Sequence, residues 1–364
     1  MLRFILLFLL SFSLFAKEIT FKDVTGNEIT LNTPVNRIAL GFYYTDFLAV
    51  GGEKSFDKVV GFSKAVWSEW SPISWQMYLD VMPNLDKIAD FGEAESGTLS
   101  IEKILELEPD VLVLAKWQYD TLKDTLNPIK LANIPIIVVD YHEGKLQNHE
   151  ISTKIFGILT NQEKRAEEIM NNYKSRLELI QARTKDIKNK VKVYIEYGIN
   201  GPSDNGVTYS HYMWGSLIDK ANAKSIADGF IKTWGAINPE EIIVQDPEVI
   251  IIAGRESELK KNKTSMVMGN NISFDEANNR LRGFSNRTTW QDLNAVKNHR
   301  IYGGYHSMLR TLGDIFMLEF VAKAAYPELF SDINPSDDYI NYHKKYLPII
   351  PDGTFMLKLD DEKF

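Results

Sequence analysis

The stretch SIEKILELEPDVLVLA at residues 100–115 decides the reading of the fold. Ser100 can cap a helix with its side-chain oxygen, and Glu102 sits in the first turn, where the positive end of the helix dipole favours it. Pro109 breaks the helix. Val111-Leu112-Val113-Leu114-Ala115 follows at once, an unbroken apolar run of the kind a parallel strand buried on both faces shows. The plan recurs 138 positions later as NPEEIIVQDPEVIIIA at residues 238–253. Asn238 is the cap there, Glu240 holds the place of Glu102, Pro247 is the break, and Val249 to Ala253 is the strand. Ile134 to Val139, interrupted by Pro135, is a further buried run. Two αβ units in register predict two α/β lobes.

The segment between the two copies predicts what joins them. Asn161 is a plausible N-cap for a helix from about Gln162 to Lys188. Ala166, Ile169, Met170, Tyr173, Leu177 and Ile180 recur at three- and four-residue spacing and form one apolar stripe. Lys185, Lys188 and Lys190 suit a helix C-terminus. Such a helix would be roughly 40 Å long, enough to run from one lobe to the other.

Composition narrows the function. With 44% hydrophobic and 25% charged residues the chain reads as a folded globular protein. There are 41 Lys and Arg against 49 Asp and Glu, a net charge of −8 with no basic run, which argues against nucleic acid as a partner. Cysteine is absent, so disulfides, thiol nucleophiles and Cys-based zinc sites are excluded. No nucleophile elbow, dinucleotide fingerprint, Walker loop or zinc-protease helix motif occurs, and no enzyme is expected. Residues 1–16 place Arg3 before the apolar run Phe4 to Leu10 and end on Ala16, the pattern of an export signal cleaved near Ala16.

The ordered set of motifs resembles the periplasmic substrate-binding proteins of ABC importers for iron–siderophore complexes, haem and vitamin B12. The resemblance rests on Phe21 to Leu31 with Pro34 and Arg37-Ile38-Ala39, on Glu108-Pro109-Asp110-Val111, and on Gly157-Ile158-Leu159 with Lys164-Arg165-Ala166-Glu167. Gly215-Ser216-Leu217-Ile218, Trp290 to Leu293 with Ala295-Val296-Lys297, and Tyr326-Pro327-Glu328-Leu329 continue it. It implies two Rossmann-like lobes joined by one long helix, with a ligand cleft between them and limited hinge bending. The segments would be an export signal at 1–16, lobes at 17–160 and 191–330, the helix at 161–190, and an extension at 331–364 packed on the body. It further implies a monomer in the periplasm that hands its ligand to a dimeric inner-membrane permease. Glu102 and Glu240 would dock one lobe each onto that permease.

The cleft candidates are the aromatic and cationic residues that follow strands. Tyr43 and Tyr44 come after the first strand, and Trp67 lies in the next loop region. Trp117 and Arg255 follow the two repeat strands, at the carboxyl ends where open α/β sheets bind ligands. Tyr209, His211 and Trp214 belong to the second lobe, and Tyr305, His306 and Arg310 open what reads as the last helix. His211 and His306 are the candidates for direct metal contact, whereas His142 and His149 read as solvated loop residues and His299 as part of a turn. Nothing is expected to be permanently bound. The expected ligand is an iron complex: siderophore, ferric citrate or haem. Cobalamin or a nickel or other metal chelate is the alternative, and an exported enzyme or a signalling receptor domain on the same fold is the alternative of another class.

Overall fold

The computed structural model describes residues 17–361 and Phe364, so the export signal read at 1–16 lies outside the described residues. An antiparallel hairpin, Lys17–Lys22 against Glu28–Thr33, opens the described chain. Two five-stranded sheets follow. The first has the spatial order Ala89–Asp90, Val59–Phe62, Ile38–Leu40, Val111–Ala115, Ile136–Val139, all parallel. The second runs Lys224–Ser225, Lys192–Tyr197, Val249–Gly254, Ile301–Tyr305, with Met356–Lys358 added antiparallel at the edge. This is an α/β fold of two sheets flanked by helices. The two repeat strands are buried along their whole length, as their apolar sequence requires. Their caps form too: Ser100 Oγ accepts from Lys103 N–H, and Asn238 Oδ1 accepts from Glu240 N–H.

The joining helix is shorter than the periodicity suggested. It spans Glu163–Thr184, 22 residues and so roughly 33 Å. Asn161 is not its N-cap. It adopts the left-handed conformation (φ 56°, ψ 41°) that ends the preceding helix, Leu146–Thr160, and Gln162 begins the next without a side-chain cap. Two helices abut here, and the Asn that could start one instead stops the other. Lys188 and Lys190 lie beyond the last turn. The apolar stripe is buried as its spacing required. Pro135 likewise trims the strand read from Ile134, which starts at Ile136.

The polar face of the joining helix holds the C-terminal extension. Arg165, Arg176 and Arg183, eleven and seven residues apart, fall on one side of the helix. Arg165 donates from Nε to Ala49 O (2.7 Å) and from Nη2 to Tyr346 O (2.9 Å). Arg176 pairs with Glu319 (2.7 Å) and Asp338 (3.1 Å). Arg183 grips Asp332 with both Nη atoms at 2.7 and 2.8 Å. The extension's helix, Pro335–Tyr346, starts on the Asn334 cap and buries Tyr339 and Tyr346 in the core. The chain then pairs Gly353–Thr354 with Gly269–Asn270 and closes the sheet edge with Met356–Lys358. One continuous apolar cluster runs from the first sheet through the joining helix to the second sheet and the extension.

Candidate functional site

Parallel strands all point their carboxyl ends one way, so the loops that leave them gather on one face of each sheet. In this chain the two faces meet. Phe42-Tyr43 leaves Ile38–Leu40, Trp70 follows Val59–Phe62, Glu93 follows Ala89–Asp90, and His142 follows Ile136–Val139. From the other sheet come Tyr197, Arg255 and His306, each at or just beyond a strand end. The result is a cleft of about 400 Å³ lined on one side by Glu69, Trp70, Glu93, Glu95 and Ser96 and on the other by Arg255, Ser257, Lys261 and Arg310. Behind it, sharing Trp70, Arg255 and Arg310, lies an inner cavity of about 140 Å³ that reaches Asp46, Tyr78 and the extension's Tyr339, Tyr342 and His343.

The two arginines are the unusual feature. Arg255 lies over the Tyr197 ring (5.1 Å) and Arg310 over Trp70 (5.2 Å). Among the described residues neither guanidinium forms an ion pair, and the Nε of each is buried without a hydrogen-bond partner. Burial and the charge of Arg255 hold Arg310 below its ordinary range. Two like charges are thus kept close together in a poorly solvated place, an arrangement that costs stability and that an anion would relieve.

Two histidines lie beside the pair, and burial and the arginines favour the neutral form of both. The Trp214 indole N–H donates to His306 Nδ1 (3.2 Å). An indole can only donate, so His306 carries its proton on Nε2. Its ring stacks on Tyr197 at 4.2 Å. Burial, then Arg310 and Arg255, push its pKa well below the usual value. Tyr43 Oη lies 2.7 Å from His142 Nδ1 and accepts from Tyr141 N–H (3.1 Å). His142 is likewise held low by burial and Arg310. His142 packs against Phe42 (5.5 Å) and Trp117 (6.2 Å), while Trp70 lies nearly parallel to Trp117 at 6.3 Å. The lining of the two cavities therefore combines cations, the His306 imidazole and aromatic faces.

Not every residue read from the sequence reaches this cleft. Arg255 and Arg310 line it, and Tyr43, Tyr44, Trp67, Tyr305 and His306 line the inner cavity. Trp67 stacks on Tyr44 at 5.0 Å and is core, and Tyr44 donates to Ser63 O (2.6 Å). Tyr305 O–H is spent on Glu256 (2.9 Å), whose carboxyl burial pushes up to about 7. Trp214 is wholly buried and orients His306, and Tyr209 is buried beside the same ring. His211 is exposed and pairs with Asp219 (2.8 Å) and Asp228 (3.6 Å), away from both cavities.

His142 and His149 correct the sequence reading in the other direction. Both are buried: His149 lies on the Leu146–Thr160 helix, unrecognised in the sequence, against Tyr141 and Tyr173, and His142 packs against Phe42, Tyr43 and Trp117. His149 Nε2 sits 3.2 Å from Asp314. Tyr305 and His306 do not open a helix: Tyr305 ends a strand, and His306–Arg310 is a 3₁₀ turn ahead of Asp314–Ala325. Missed altogether were Tyr197, Glu69, Glu93, Glu95 and Asp46. A glutamate in an acidic chain carries no signal of its own. Tyr197 could have been found as the end of its strand.

Asp46 gives the molecule a pH response. Its Oδ1 accepts from Leu312 N–H (2.8 Å), a bond from the helix after the first strand to the second half of the chain. Burial, with a further push from Asp314, raises its pKa to about 8. The folded form keeps a proton that the unfolded form loses near pH 4, so stability falls as pH rises between about 4 and 8, by about 1.4 kcal/mol per unit. Asp46→Asn, which keeps the acceptor, should flatten the decline in melting temperature between pH 5 and 8. An unchanged slope would show that Asp46 is ionised in the fold.

Two sheets whose strand ends face each other across a cleft, with a helix joining them, define a two-lobed ligand-binding protein. The chain belongs to the periplasmic binding protein family, whose profile matches residues 38–306. Proteins of this family bind and deliver small ligands to ABC permeases and are not enzymes. The crystal structure of the TroA-like periplasmic binding protein FepB from Veillonella parvula is similar over 94% of this chain and all of that one, with TM-score 0.89 and 30% identity. The molybdate-binding protein MolA of Haemophilus influenzae is 21% identical over 93% of each chain. The iron(3+)-hydroxamate-binding protein YxeB of Bacillus subtilis is 25% identical over 78% of this chain and 76% of its own. Among the described residues no helix is long and apolar enough to cross a membrane.

Proposed function

We propose that this protein captures an iron complex with an anionic, oxygen-rich face, a siderophore, ferric citrate or haem, in the interlobe cleft. It then hands the complex to a dimeric inner-membrane permease. The observation that carries the reading is the pair of half-buried arginines without carboxylate partners, Arg255 and Arg310, the Nε of each buried and unpartnered. Guanidinium forks suit carboxylate, catecholate or hydroxamate oxygens and also stack on flat rings. In a chain of net charge −8 they supply the positive potential an anion needs. The cleft of about 400 Å³ falls in the range of small-molecule sites. In this reading the protein works as an exported monomer with nothing permanently bound, and the iron arrives inside its chelator. His306, which lines the inner cavity, contributes a hydrogen bond to the chelator from its Nε2–H.

Trp70 and Trp117 provide the assay. Titration with ferric trihydroxamate, ferric catecholate, ferric citrate and haem should quench tryptophan fluorescence with one of them at or below about 10 μM, close to −7 kcal/mol. No quenching by any ferric complex would remove iron from the reading. Quenching by molybdate, cobalamin or a nickel chelate alone would name the replacement.

A further inference from the structure

The cleft wall that faces the arginines carries the opposite charge. Glu69, Glu93 and Glu95 come from the first lobe, and Arg255 and Arg310 from the second. Among the described residues no ion pair crosses the gap between them, and Lys261 is turned to Glu258 of its own lobe (3.4 Å). Glu93 is the telling member. It is 4% exposed, its Oε2 accepts from Ser96 N–H (2.7 Å), and its Oε1 is buried with no hydrogen-bond partner. A carboxylate oxygen left so is costly unless a donor arrives.

Nothing about Glu93 is loosely held. Gly92 takes φ +80°, and a Cβ there would lie 2.2 Å from Thr98 O, so the loop closes too tightly for any other residue. Thr98 N–H and Leu99 N–H both donate to Glu93 O at 3.0 Å, and Glu93 N–H donates to Thr98 Oγ1 (3.1 Å). The carboxylate is fixed before a ligand enters, which lowers the cost of using it. A ligand that is anionic all over would meet repulsion on this side. A ligand carrying a compact cation with several N–H donors would fill it, and a primary ammonium has three.

We propose that the cleft selects a dipolar complex, with its anionic oxygens on Arg255 and Arg310 and a primary ammonium arm on Glu93, flanked by Glu69 and Glu95. This rests on the reading of the cleft as the site of a ferric complex. The test uses a matched pair: a linear ferric trihydroxamate with a free terminal amine, and the same complex N-acetylated. Both are titrated by fluorescence into the wild-type protein, Glu93→Gln, and the double variant Glu69→Gln, Glu95→Gln, whose exposed positions leave the fold unaffected. The wild type should bind the amine form about tenfold tighter or more, as a charge-assisted bond provides. In Glu93→Gln the preference should shrink to about threefold or less, with the acetylated form bound as before.

Equal wild-type affinities for the pair would overturn the proposal. So would a preference that persists undiminished in Glu93→Gln. If neither member of the pair binds while a wholly anionic ferric complex does, the dipolar ligand is wrong and the arginine site stands. If no ferric complex binds, both readings fail together.

Discussion

Arg255→Ala should weaken ligand binding by roughly ten- to a hundredfold, about 1.4 to 2.8 kcal/mol. The double change with Arg310→Ala should cost on the order of a thousandfold, since both forks then leave the same ligand face. What separates a binding role from a structural one is the unliganded protein. Neither guanidinium has an ion-pair partner among the described residues, and each raises the cost of the other's charge. Removing one should therefore leave the melting temperature of the empty protein unchanged or higher, while affinity collapses. Sites held ready for a charged ligand are often strained in this way. Arg255→Lys should recover only part of the loss, because an ammonium cannot reproduce the planar fork. Affinity within threefold of wild type in Arg255→Ala would remove that residue from the site.

Charge reversal at Glu102 and Glu240 together should abolish uptake in cells with ligand affinity unchanged. Glu102 and Glu240 occupy the second position of equivalent short helices, Ile101–Glu106 and Pro239–Gln245, and both are exposed. Neither carboxylate takes part in an ion pair among the described residues. One acidic residue per lobe, in the same structural place, is what two equivalent permease subunits would require. In each first turn the helix dipole also favours an acidic residue, so Glu102→Lys and Glu240→Lys will lower stability by about 1 kcal/mol or less apiece. Glu→Gln controls separate that effect from docking. Transport that survives the double reversal would end the docking reading.

The architecture was legible because its signals are local. Val111 to Ala115 and Val249 to Ala253 could be read as buried strands from five residues each, and their caps and Pro breaks lay within one turn. The joining helix was legible in its apolar stripe and wrong at both ends, since an Asn between two helices serves either as a start or as a stop. The cleft lining was legible at Arg255, which follows its strand directly, whereas Trp117, in the matching place of the other repeat, lines neither cavity and packs behind Trp70. His142 and His149 were not legible, because the rings that cover them come from distant parts of the chain, Phe42, Tyr43 and Trp117 for the one and Tyr173 for the other. Trp214 and His211 show the converse: they lie three residues apart, and one ends up under His306 while the other faces water. No local pattern separates them. Glu93 needed the loop closure and the opposing arginines before its carboxylate meant anything.

The edge strand at the end of the chain has a consequence for solubility. Parallel sheets leave their outer strand with a row of open N–H and C=O groups, a template for pairing with another molecule. In the second sheet that outer strand would be Ile301–Tyr305, whose Gly303 and Gly304 offer no bulky side chains to keep a foreign strand away. Met356–Lys358 occupies the position from within the same chain, antiparallel, with Lys358 opposite Tyr302. The extension therefore guards against self-association, and it leaves a lysine, a residue that discourages further strand addition, near the new margin.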